Sequence, residues 1–252
     1  MMSMQDRINQ AVSMIKELQK RGPIKSYILT GAGVSRASDI PTFRGEDGLW
    51  EKYNFEEVAT LSAWKKNPTK LWTFYQDGID LILNAKPNPG HYSITDLQKN
   101  GLGEYIITQN ADGLHQKAGS ENVLEIHGNF TKVKCEKCDF KATFTEPPTE
   151  IPPICECGSI LRPDVIFYEE QLPMKAIEQA YSIAKNADLA IVVGTSAEVI
   201  PAAFIPSYSK ENNAIVLVFN KELTSHSLVA DVFIEGKSEE TLPLFVKKLL
   251  EK

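Results

Sequence analysis

Tyr27-Ile28-Leu29-Thr30-Gly31-Ala32-Gly33-Val34-Ser35 runs a short apolar segment straight into a glycine turn. A strand that ends in such a turn carries backbone N–H groups towards a phosphate. The usual dinucleotide fingerprint asks for a third small residue where Arg36 stands, so the turn alone is equally well explained by backbone geometry.

The flanking sequence extends the pattern. Tyr105–Thr108, Leu124–Ile126, Leu189–Val193 and Ile215–Phe219 are also short, apolar and often β-branched, which predicts buried strands. Helical spacing covers Gln5 to Arg21, where Ile8, Ala11, Val12, Ile15 and Leu18 share one side and Gly22-Pro23 ends the run. It returns over Met174–Lys185 and Thr241–Leu250. Strands alternating with helices predict an α/β fold built on a doubly wound, parallel, Rossmann-like sheet. Two stretches break the rhythm. Residues about 45–90 form an aromatic-rich helical insertion containing Trp50, Trp64, Trp72, Phe74 and Tyr75, closed by Pro87-Asn88-Pro89-Gly90. Residues 132–162 are rich in Cys, Lys and Pro. The expected division is a Rossmann-like domain of residues 1–131 and 160–252, with a small module at residues 132–159.

With 252 residues, 42% of them hydrophobic and 24% charged, the chain can bury a substantial core, which excludes disorder. Its 27 basic and 33 acidic side chains leave a net charge of −6 without a block of one sign, so no basic footprint for nucleic acid exists. No apolar run approaches the roughly 20 residues of a membrane span, and Met1 to Arg7 lacks the apolar core of a secretory signal. The expectation is a cytoplasmic protein with no membrane and no nucleic-acid partner.

All four cysteines fall between Cys135 and Cys157. Two close thiol pairs in a reducing compartment favour a metal over disulfides, and four thiolates suit tetrahedral zinc. Cys135-Glu136-Lys137-Cys138 has the ordinary two-residue spacer, whereas Cys155-Glu156-Cys157 is one residue shorter. With no nearby histidine to complete an open catalytic site, the expected role of zinc is structural.

Polar residues gather where strands end. Thr108-Gln109-Asn110-Ala111-Asp112-Gly113-Leu114-His115 follows one predicted strand, and His127-Gly128 follows another. Ligands of open α/β sheets bind at such carboxyl ends, although Asn and Asp also serve as caps and turn formers.

Taken together these motifs resemble the sirtuins. Gly31-Ala32-Gly33-Val34-Ser35, then Ser38-Asp39-Ile40-Pro41-Thr42-Phe43-Arg44, matches the family's opening motif except that Asp39 replaces glycine. Gln109-Asn110-Ala111-Asp112, His127-Gly128, Leu161 to Glu170, Gly194-Thr195-Ser196 and Asn220 continue the match in order. The resemblance implies an enzyme that consumes NAD to remove acyl groups from protein lysines, with zinc as a structural metal. His127 and Asn110 would be catalytic, His127 as general base. The cofactor would be held by Gly31, Ala32, Gly33, Ser35, Phe43, Arg44, Gln109, Asn110, Asp112, Gly194, Thr195, Ser196 and Asn220, and further out by Lys221, Glu222 and Ser238. Tyr75, Val165, Phe167 and Tyr168 would meet the acyl-lysine, and Cys135, Cys138, Cys155 and Cys157 the zinc. Sirtuins that remove acidic acyl groups carry Tyr-x-x-Arg on the helix after the cofactor loop; Tyr75-Gln76-Asp77-Gly78 lacks the Arg, which implies acetyl or longer neutral groups. Ala111 for the usual Ile and Glu169 for Gly are further departures. They leave NAD hydrolysis or ADP-ribose transfer, or a non-catalytic NAD sensor, as rivals.

Overall fold

The structure is a computed structural model and describes residues 2–42 and 49–251. Phe43 and Arg44, both assigned above to the cofactor, lie outside the described residues. In chain order the elements begin with α1 (Met4–Gln19), β1 (Ser26–Thr30), α2 (Leu49–Lys52), α3 (Phe55–Val58), α4 (Leu61–Lys66), α5 (Pro68–Asn84) and α6 (Pro89–Lys99). Next come β2 (Tyr105–Thr108), α7 (Leu114–Lys117), β3 (Val123–Glu125), β4 (Gly128–Cys135), β5 (Lys141–Thr143) and β6 (Leu161–Val165). The chain ends with α8 (Met174–Lys185), β7 (Leu189–Val193), α9 (Ile205–Glu211), β8 (Ile215–Asn220), β9 (Val232–Glu235) and α10 (Ser238–Leu250).

Six strands form a wholly parallel sheet in the order β3-β2-β1-β7-β8-β9. Alternation along each strand divides its side chains between two cores. Ile28, Ile191, Val193, Leu217 and Phe219 face α1, α6 and α10, while Tyr27, Leu29, Val192, Val216 and Val218 face α8 and α9. The five predicted strands are present. The sixth, β9, was not expected, because Val232-Phe233-Ile234 is too short an apolar run to stand out.

Local chemistry sets the helix starts. Ser3 and Asp6 form a capping box before α1, Asn67 caps α5 with Pro68 in its first turn, and Asn88 caps α6 in the same way. The helical insertion therefore ends at Asn84, and Pro89, inside the range expected for it, opens a helix of the sheet's own layer.

The second sheet is small and antiparallel, in the order β5-β4-β6. It spans residues 128–165, wider at both ends than the 132–159 module. Its apolar side joins the insertion in one core, where Trp64, Leu71, Trp72 and Tyr75 pack with Val133, Cys135, Leu161 and Phe167. Among the described residues no helix is long and apolar enough to cross a membrane.

Candidate active site

Strand order reverses between β1 and β7, and two turns meet at that switch point. The Gly31 N–H donates to Val193 O (3.1 Å) and the Gly33 N–H to Gly194 O (2.8 Å). A Cβ on Gly33 would lie 2.8 Å from Gly194 Cα, so glycine is needed here for close approach of the two turns. Val34 and Ser35 N–H groups also have protein acceptors. Among the described residues, Ala32 is the one amide of the turn left over for a phosphate.

Beneath the turn lies a buried polar network centred on Ser35, which is fully buried. Its hydroxyl donates to Asp112 Oδ2 (2.7 Å) and accepts from Asn110 Nδ2 (3.1 Å). His91 Nδ1 accepts from the Asn88 N–H at 3.3 Å, which leaves the proton on Nε2 to donate to Ser35 Oγ, also at 3.3 Å. Thr30 Oγ1 gives its proton to Thr108 Oγ1 (2.8 Å), so His115 Nε2 is the donor in its 2.8 Å contact with Thr30. Thr108 Oγ1 in turn accepts the Asn110 N–H at 3.0 Å. Asn110 is thus fixed through both main chain and side chain. Burial raises the Asp112 pKa despite hydrogen bonds from Leu114 and Ser35.

The two histidine rings of this network stand 5.1 Å apart and are buried. Burial pushes the pKa of His91 down to about 4 and that of His115 to about 3, from 6.5. The unfolded chain therefore binds protons between pH 6.5 and about 4 that the folded chain refuses. Stability supplied by the neutral rings is present above pH 6.5 and is lost as the pH falls through that window. The expected loss is on the order of a few kcal/mol, read as a falling urea midpoint from pH 7 to pH 4.

His127 lies in the short turn between β3 and β4, beside this network. Its Nδ1 lies 3.0 Å from Gln109 O and donates there, so Nε2 carries the basic lone pair; Nε2 is buried and has no protein partner among the described residues. Burial lowers its pKa, only partly opposed by the Gln109 bond, so the ring is neutral at pH 7. It lines a cleft of about 680 Å³ together with Gln109, Tyr75, Val165, Phe167 and Tyr168. A smaller cavity of about 130 Å³, lined by Ser35, Asn110 and Asp112, shares Phe74, Ala111 and Phe130 with the cleft.

Gln109 Nε2 donates to Thr195 Oγ1 at 2.9 Å and ties the β2 and β7 ends together. On the far side Ser238, at the start of α10, reaches Gly33 O at 3.4 Å, and Asn220 Nδ2 donates to Glu222 O at 2.8 Å. Ser196, Lys221 and Glu222 are exposed on loops.

Tyr75 is buried and stacked on Phe130 with centroids 4.7 Å apart. Gly78 does not reach the cleft: it lines the smaller cavity, and a Cβ there would lie 2.9 Å from the Phe130 ring. Both departures at family glycines keep the left-handed backbone, with φ 62° at Asp39 and φ 74° at Glu169.

Cys135, Cys138, Cys155 and Cys157 converge, all four Sγ atoms lying within 4.8 Å of one another. Cys135–Cys157 and Cys138–Cys155 are separated by 3.5 and 3.6 Å. A zinc–sulfur tetrahedron with bonds of about 2.3 Å has edges of about 3.8 Å, so the cluster fits the metal despite its short second spacer.

In the sequence, Asn88 reads only as part of the close of the insertion and His91 only as a weaker alternative to His127 as base; their place as an arm of the network comes from the structure. The signal for that arm was the Asn-Pro-x-His cap, which serves as helix start and as support for Ser35 at once.

Residues 31–201 match the model of the Sir2 family. An NAD-dependent protein deacylase of Pyrococcus furiosus is 47% identical over 227 residues, covering 87% of this chain and 91% of the relative. A crystal structure of a Sir2 homologue–NAD complex superposes with TM-score 0.83 at 39% identity, covering 88% of each chain. A Sir2 mutant solved with a deacetylated peptide and 3'-O-acetyl-ADP-ribose gives TM-score 0.82 at 34% identity, covering 88% of this chain and 92% of that one. The ordered strand-end motifs, the sheet that positions them and these likenesses agree: the chain belongs to the Sir2 family.

Proposed function

We propose that this protein is an NAD-dependent protein-lysine deacylase, releasing nicotinamide, free lysine and O-acyl-ADP-ribose. The observation that carries the reading is His127 Nε2, a neutral base with no protein partner among the described residues, in a cleft beside Asn110 and Asp112. Bound NAD supplies a ribose carbon from which nicotinamide departs and to which the acyl oxygen bonds.

This chain's residues do the rest. Ala32, Gly33, Thr195 and Ser238 surround the switch point where a dinucleotide's phosphates and ribose rest in open α/β sheets, with Asn220 at the end of the adjacent strand. Asn110 and Asp112, held by Ser35, offer an amide and a carboxyl to nicotinamide. His127 accepts a ribose hydroxyl proton at Nε2, with its ring oriented by Gln109 O. Val165, Phe167 and Tyr168 form the apolar wall that holds the acyl-lysine and excludes water. Zinc, held by the four cysteines, stabilises the sheet that bears this wall. Four thiols kept for a metal are consistent with the cytoplasmic location expected from the sequence, since a reducing compartment favours metal thiolates over disulfides.

The cleft also decides acyl type. Among its described lining residues there is no Lys or Arg, so a buried acyl carboxylate would lack a charge partner. Acetyl-lysine is expected to be turned over at least about tenfold faster than succinyl-lysine, measured as kcat/KM on one peptide. An arginine at position 78 would not repair this, because it would have to displace Phe130 and would arise in the other cavity.

Incubation with NAD, with and without an acetylated peptide, tests the reading. The expected result is peptide-dependent nicotinamide release with equimolar O-acetyl-ADP-ribose by mass spectrometry. Equal release without peptide would establish NAD hydrolysis instead.

A further inference from the structure

Glu169 stands where the sirtuin pattern has glycine, and its carboxylate has a partner. Oε2 accepts from both the N–H (3.0 Å) and the hydroxyl (2.6 Å) of Ser62 in α4. Thr60, the N-cap of that helix, already serves the Ala63 N–H, so Glu169 takes a first-turn N–H that the cap leaves over. Next to it the Tyr168 N–H donates to Ala59 O (2.8 Å) and Tyr168 O accepts from the Leu61 N–H (3.1 Å). The cleft-lining loop is thereby fastened to the helical insertion by one main-chain bridge and one side-chain clamp.

Stability does not account for this arrangement. An exposed bond of this kind adds little, and a non-glycine residue at φ 74° subtracts a comparable amount. Geometry does account for it. Tyr168 spends both main-chain groups on Ala59 and Leu61. Phe167 uses its own on Glu170: its N–H donates to Glu170 Oε2 (2.9 Å) and its carbonyl accepts the Glu170 N–H (3.2 Å). Among the described residues the N–H and C=O of Glu169 have no protein partner, and Glu169 lines the cleft. These are the main-chain groups an extended peptide would pair with.

We propose that Glu169 is a positioning residue for the acyl-lysine substrate: its carboxylate, held on Ser62, fixes the peptide planes at the cleft edge on which the substrate's main chain docks. The substitution from glycine thus fastens the docking edge where absence of glycine alone would only strain it. The inference rests on the deacylase reading.

Steady-state kinetics with an acetyl-lysine peptide test it. Glu169→Ala is expected to raise the peptide KM about tenfold while kcat and the KM for NAD change less than about twofold. Glu169→Gly removes clamp and left-handed strain together and should match Glu169→Ala. Glu169→Gln keeps an oxygen for Ser62 and should recover most of the loss. An unchanged peptide KM in both the Ala and Gly variants overturns the proposal, as does an equal fall of kcat in all three. Failure of the deacylase reading would show differently, as a wild-type protein without acyl-lysine turnover. Fluorescence anisotropy of a labelled acetylated peptide then reads the clamp directly: weaker binding by the Ala and Gly variants supports it, and equal binding overturns it.

Discussion

His127→Ala is expected to lower kcat on an acetylated peptide by about 10²–10⁴-fold, the usual contribution of a positioned general base. Among the described residues the ring makes one hydrogen bond, to Gln109 O, so truncation should leave the fold and the NAD site nearly intact. NAD affinity, measured by calorimetry, should change less than about threefold, because the switch-point turns and the Ser35 network lie elsewhere. The wild-type pH profile carries the same assignment. Burial holds His127 below 6.5, and the base form is the deprotonated one, so kcat/KM should be flat near pH 7 and fall only as the pH drops through that depressed value. Deacylation by the Ala variant at the wild-type rate would remove His127 from the mechanism.

Metal removal is expected to have the largest effect on the fold. Structural zinc contributes apparent binding free energies of about 10–16 kcal/mol in small peptides, and in such sites that energy is folding energy. Here Cys135 and Cys155 belong to the same core as Trp72, Tyr75 and Phe167, so collapse of the thiolate cluster would reach the cleft wall. Glu136, inside the first knuckle, accepts from Trp64 Nε1 at 3.1 Å and from Arg162 Nη1 at 3.1 Å. Arg162 also pairs with Glu170, two residues from Tyr168 in the cleft loop. Elemental analysis should find one zinc per chain. Chelation, or Cys135→Ser, should lower the melting temperature and shift Trp fluorescence to the red as Trp64 and Trp72 meet water. Natively purified protein free of zinc, with the same melting curve, would contradict this account.

How much was legible in the sequence differs by element. Strands such as Leu189–Val193 were legible because full burial in a parallel sheet demands an unbroken apolar run. β9 was not, because its apolar run is too short to stand out, and the outer limits of the small sheet were not, since they depend on pairing between residues distant in sequence: Gly128 pairs with Val165. His127, Asn110 and Asp112 could be put forward as candidates because each lies in a short contiguous motif, Gln109 to Asp112 and His127-Gly128. Their supports could not, since Asn88 and His91 arrive from another helix and act through Ser35. Glu169 shows the same limit from the other side. As a letter it is a departure from glycine; only the nearness of Ser62 shows what its carboxylate does.

The sheet order has a consequence for biosynthesis. β1 pairs on one side with β2 and on the other with β7, and the whole insertion and zinc module are strung between β1 and β7. A ribosome completes β1, β2 and β3 long before Leu189 emerges, and until then the β1 edge, buried in the finished sheet, is open to any other extended chain. Closing so long a loop adds little entropy per extra residue, but it makes central pairing a late, non-local event. Nascent chains stalled between Val165 and Leu189 are thus the species most exposed to edge-to-edge aggregation and to capture by chaperones.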